Sequence, residues 1–114
     1  MITSDELERL VTSVVGEGRM AQPVFADDED VGFPYARIMP DRMELVRATD
    51  HVWIWTIPYY IFLCTKFRDR ALEQRMAQAL DSVGVGYKLE FEYDQGERVF
   101  MAVFFTDPVQ ESEA

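Results

Sequence analysis

Few side chains in this sequence are of a type and spacing that could do chemistry. His51 is the only histidine, so no second imidazole is available to share a metal with it. As a general base it would need a carboxylate to orient its ring, and the adjacent Asp50 is a poor geometric candidate. Cys64 is likewise alone, which excludes an internal disulfide and a multi-cysteine metal site. Its apolar neighbours predict a core thiol with nothing in the local sequence to lower its pKa, and a reducing compartment. Asp27, Asp28, Glu29 and Asp30 stand side by side without the spaced ligands and turn glycine of a calcium loop, so they read as a solvated acidic loop. Gly-rich phosphate loops and the HExxH, GxSxG and CxxC patterns are all missing from the sequence. No catalytic, metal or cofactor-binding residue is expected, and the chain is expected to work through its surfaces.

Aromatic residues are the stronger signal. Trp53, Trp55, Tyr59, Tyr60 and Phe62 recur at strand spacing, as they would in a core, a subunit interface or a ligand pocket. A strand that is apolar on both sides is hard to cover in so small a domain, and a subunit interface would supply the missing layer.

The elements that must position these residues follow from local pattern. Thr3 as N-cap, Glu6 three residues on and the Ile2/Leu7 staple start a helix predicted over residues 3–15, with Leu7, Leu10, Val11 and Val14 as its apolar stripe. Residues 16–34, with three glycines, two prolines and the acidic run, read as a long exposed loop. Strands are expected over 35–39, 43–47, 52–57 and 59–65. Pro58, which cannot donate to a ladder, demands a bend, a bulge or a strand end. Asp69 caps a second helix in which Leu72, Met76, Ala79, Leu80 and Val83 share a face, and Gly84 and Gly86 end it. Tyr87, Leu89, Phe91 and Tyr93 alternate with Lys88, Glu90, Glu92 and Asp94, then Gln95 and Gly96 turn the chain into a second strand over 99–105, a β-hairpin. The tail from residue 107 to 114 is short and acidic and is expected to fray. The order of elements predicts an α+β fold: one antiparallel sheet of about five strands, both helices packed on one face, and a single domain over 1–114.

With 114 residues, 48% of them hydrophobic, one two-layer core is affordable. The longest apolar run is broken at Pro58 and reads as buried strand, not as a membrane helix. Acidic Asp5, Glu6 and Glu8 sit where a secretory signal would be cationic and then apolar, so the protein is expected to remain where it is made. Twenty-one acids against eleven Lys and Arg give a formal charge of −10, which disfavours tight nucleic-acid binding. A surface that DNA passes without sticking and a surface that imitates DNA to occupy a basic partner both fit that charge.

From Pro34, Tyr35, Ala36, Arg37, Ile38 and Met39 the pattern runs through Arg47, Ala48, Thr49 and Asp50 to the aromatic strand at 59–65. Lys66, Arg68 and Asp69 then lead into the helix Leu72, Glu73, Gln74, Arg75 and Met76, and the acidic strand at 87–93 follows. In this order the chain resembles the small siphophage tail-terminator or tail-completion proteins encoded among head-to-tail joining genes. Trp53, Ile54 and Trp55, with Pro58, depart from the family's more polar approach to the aromatic strand. The resemblance implies an α+β protomer in a homo-oligomeric ring, commonly a hexamer, in the neck of a virion built in the bacterial cytoplasm. It also implies tail-tube and head-connector proteins as partners, DNA as a passing cargo kept from adhering, no membrane, no cofactor and no catalytic residue. Candidate interface residues are Trp53, Trp55 and Tyr59 together with Asp27, Asp28, Glu29, Asp30, Glu90, Glu92 and Asp94. Two other readings stand beside it: an acidic inhibitor or immunity-type protein that occupies a basic partner, and a small-ligand-binding domain with a pocket around Trp53, Trp55 and Tyr59.

Overall fold

Helix α1 (Ser4–Val15) starts at Thr3, whose Oγ1 accepts the Glu6 amide at 3.3 Å and donates to Glu6 Oε1 at 3.2 Å. Its buried positions are Ser4, Leu7, Val11 and Val15; of the predicted stripe, Leu7 and Val11 are buried, while Leu10 and Val14 pack half-buried against the core and Val15 takes the last buried place. The computed structural model describes residues 2–17, 19–21, 32–42, 44–49 and 52–111, with the backbone alone at 20, 21, 44, 46–49 and 52–54. His51 and the acidic run Asp27, Asp28, Glu29 and Asp30 lie outside the described residues. The segment expected to be one long loop over 16–34 contains a short strand, β1 (Met20–Ala21), which pairs in parallel with β2 (Tyr35–Pro40).

The apolar stretch around Pro58 forms two strands in two different sheets. β4 (Val52–Ile57) pairs with β3 (Glu44–Thr49), whereas β5 (Tyr59–Thr65) lies between β2 and β7 (Val99–Thr106). Lacking an N–H, Pro58 is the joint at which the chain leaves one ladder and enters the next. The main sheet runs β1-β2-β5-β7-β6, with β6 (Tyr87–Asp94) at its outer edge, and all its pairings except β1/β2 are antiparallel. Helix α2 (Arg70–Ser82) is capped by Asp69, whose carboxylate accepts the Leu72 amide at 3.0 Å. It ends in a Schellman motif: Val85 N–H donates to Leu80 O, Gly84 N–H to Asp81 O, and Gly84 takes φ +73°.

Register explains why both helices cover the same side. Ala36, Leu63 and Ala102 lie opposite one another across three strands, as do Ile38, Ile61 and Phe104. These six residues form one buried cluster with Leu7 and Val11 of α1 and Leu72, Met76 and Leu80 of α2. The fold is therefore α+β with its helices against one sheet face.

The tail corrects the expectation of fraying from residue 107. Val109 is 1% exposed and, with Gln110, forms β8 (Val109–Gln110) against Ile57 and Thr56 of β4. Gln110 N–H donates to Ile2 O, Glu111 N–H to Trp55 O, and the Ser4 hydroxyl to Glu111 Oε1 at 3.0 Å. A single buried valine and these hydrogen bonds hold the chain through Glu111; residues 112–114 lie outside the described residues.

Candidate functional site

Three surfaces of this framework leave reactive or apolar side chains in the open. The first is the face of the main sheet turned away from the helices. Register places three rows on it: Tyr35, Cys64, Met101 and Glu92; Arg37, Phe62, Val103 and Glu90; Met39, Tyr60, Phe105 and Lys88. None of these residues joins the buried cluster beneath the helices. The centre of this face is aromatic, with Tyr60 stacked 6.1 Å from Phe62 and tilted against Phe105 at 4.6 Å. Its outer strand is acidic.

Arg37 rises from this face with its guanidinium 5.4 Å from the Phe62 ring centre, and its Nε is buried without a hydrogen-bond partner. Tyr35 and Cys64, its neighbours, share a side-chain hydrogen bond. Burial is the main reason that both groups hold their protons more tightly than usual; for Cys64 this outweighs the lowering influence of Arg37 and Tyr35. The thiol is fully buried, as its sequence neighbours indicated, but on the sheet face away from the helices and outside the cluster beneath them. The nearby Tyr and Arg were not legible, because they come from β2 through a pairing some thirty residues distant. A cavity of about 290 Å³ at this end is lined by Tyr35, Arg37, Asp94, Glu97, Val99 and Met101. Asp94 is committed to the turn there, accepting the amides of Gly96 and Glu97 at 2.9 and 3.1 Å.

The second surface is the β3/β4 hairpin. β8 pairs with Thr56 and Ile57, and the Glu111 N–H just after it reaches Trp55 O; beyond Trp55 the two strands pair with each other alone among the described residues. Leu45 and Trp55 sit directly opposite one another across the pair and are 44% and 39% exposed. Trp53 lies two pairs further along, opposite Arg47. Tyr59 does not join them. It is buried, with only 6% of its surface exposed, in the main core beside Ser4 and Glu111, which corrects its assignment as an interface residue. The sheet switch at Pro58 is the physical reason.

The third surface lies at the end of the sheet where β5 passes into α2. Phe33, Pro34 and residues 65–70 line an open cleft of about 660 Å³, with Phe33 41% and Phe67 77% exposed. Arg68 spans from this cleft to Phe91 of β6, 4.6 Å from the ring centre, and pairs with the buried Glu73 at 3.4 Å. Among the described residues, no three His, Cys, Asp or Glu side chains gather as a metal set. Glu90, Glu92 and Asp94 are all exposed, on the side of β6 opposite Phe91.

No protein-family model matches the chain, and no curated protein sequence matches it.

Proposed function

We propose that the chain is a structural subunit that acts by self-association into a ring, as in the siphophage tail-terminator and tail-completion proteins it resembles. The observation that carries this reading is the β3/β4 hairpin. A two-stranded ribbon is marginal at best in water, and it becomes stable when a further strand or another layer covers it. Here the outer half of the ribbon, with Val46, Val52, Trp53 and Ile54 in its sequence, has no third strand among the described residues, and Leu45 and Trp55 stand exposed at its base. A neighbouring copy would supply the missing layer. Because the hairpin lies outside the main sheet, it would meet a different surface of the neighbour, and a head-to-tail contact of that kind closes into a ring when its rotation divides a full turn. The net charge of −10 would leave such a ring with a negative surface along which DNA could pass without adhering.

Light scattering across protein concentration tests the reading. A closed ring that dissociates when Trp55→Asp is introduced would support it. A wild-type chain that stays monomeric at high concentration would refute it.

A further inference from the structure

The cleft at the start of α2 is unlike the rest of this acidic molecule. Lys66, Arg68 and Arg70 fall within five residues and all line it, between the exposed rings of Phe33 and Phe67. Arg68 is occupied by Glu73 and by the Phe91 ring, and Asp69 is turned to the Leu72 amide. Lys66 and Arg70 are both exposed, and neither has an ion pair among the described residues. Lys66 Nζ lies 5.9 Å from the Phe67 ring centre. Exposed aromatics beside an uncompensated cationic pair are what an interface anchor is made of, and a carboxylate-bearing surface is what would complete it.

The same chain carries the complement. β6 is the outer strand of the main sheet, with no partner along its outer edge among the described residues. Glu90 and Glu92 project from it on the face away from the helices, opposite Val103 and Met101. Neither has an ion pair among the described residues. The cleft lies on the helix side, since Arg68 and Arg70 also line a groove with Glu73, Gln74, Leu89 and Phe91. The two charged surfaces therefore face opposite ways and cannot meet within one copy.

Resting on the ring reading above, we infer that Lys66 and Arg70 of one copy receive Glu90 and Glu92 of the next. Nucleic acid is the poorer occupant, because the −10 charge of the chain repels phosphate. A second copy presents carboxylates at a free sheet edge, and overlapping copies in this sense repeats one contact around an axis.

The test uses two full-length variants, Lys66→Glu with Arg70→Glu and Glu90→Lys with Glu92→Lys. All four positions are exposed, and circular dichroism checks that each variant keeps its fold. Mass is followed by light scattering at matched ionic strength. Each variant alone is expected to need at least about tenfold more protein to assemble, and an equimolar mixture is expected to recover assembly because the reversed charges match again. Wild-type rings that persist in both variants would overturn the inference and leave the ring reading standing. Loss in one variant only, or loss in both without recovery on mixing, would overturn the pairing of these two surfaces. A wild-type chain that never associates would overturn the ring reading and this contact with it.

Discussion

Phe104 and Phe105 are neighbours on β7 whose side chains point to opposite faces of the sheet, and truncating each in turn tests the register on which the interface argument depends. Phe104 has no exposed surface; it lies between Ile61 and Leu89 in the ladder and meets the Tyr87 ring edge-on at 5.3 Å. Phe104→Ala should cost about 3–5 kcal/mol from lost transfer and the cavity left behind. Phe105 is half-buried on the uncovered face and rests mainly on Tyr60 at 4.6 Å. Its truncation should cost about 1–1.5 kcal/mol, a fraction of what fully burying such a ring contributes. Urea unfolding at low protein concentration, where copies are separate, measures both. With a urea slope of about 1.5 kcal/mol per M, Phe104→Ala should move the midpoint by roughly 2–3 M and Phe105→Ala by less than about 1 M. Equal losses, or a larger loss for Phe105→Ala, would show that the helices cover the other face. A one-residue slip of β7 does that, and it would also move Glu90 and Glu92 relative to the core.

Other consequences are open to simpler measurements. Asp69→Ala removes the acceptor of the Leu72 amide and should cost about 1 kcal/mol in the same unfolding assay, whereas Asp69→Ser should recover most of it. Ending the chain at Asp107 deletes β8 and the buried Val109, and should lower stability by about 2 kcal/mol; no change would mean that the tail is not docked. Cys64, Tyr35 and Tyr59 all have pKa values raised, chiefly by burial, from ordinary values of 9.0 for the thiol and 10.0 for the phenols. The unfolded chain releases these protons first, so stability should be level below about pH 8 and fall progressively as pH climbs through 9.0 and 10.0 toward the raised values. Cys64→Ala should flatten the early part of that fall, and an unaltered alkaline profile would count against a buried thiol.

How much of this was legible depended on how local each signal was. Caps, stripes and turns are written within a few residues: Thr3 with Glu6, Asp69 with Leu72, and the alternation of Tyr87, Leu89, Phe91 and Tyr93 all specify what is observed. Pro58 was legible as a break but not as a change of sheet, because residues on either side have the same β-branched and aromatic character. That choice is made by distant partners, β3 and β8 on one side and β2 and β7 on the other. Tyr59 was misassigned for the same reason. β8 is two residues long, too short for any periodicity, and only the burial of Val109 gives it away. The cluster Lys66, Arg68 and Arg70 stands plainly in the sequence, but Phe33, more than thirty residues earlier, makes it one wall of a cleft.

A chain carrying −10 must overcome repulsion from its own copies before any ring can close, and that requirement assigns different tasks to the surfaces. At physiological salt, charges more than about 8 Å apart are largely screened, so the repulsion is felt mainly as two copies come into contact. Apolar burial at Leu45 and Trp55 is insensitive to charge and can supply the free energy of association, but it specifies orientation poorly. Charge placed locally against charge does the reverse: it contributes little at an exposed site and penalises every arrangement that brings like signs together. With Lys66 and Arg70 as the uncompensated cations beside an aromatic cleft, the orientation that meets Glu90 and Glu92 avoids that penalty at this site. Moderate salt should therefore promote assembly by weakening the general repulsion, and it should help the Lys66→Glu, Arg70→Glu variant more than the wild type, because that variant has lost its attractive contact and gained a repulsive one.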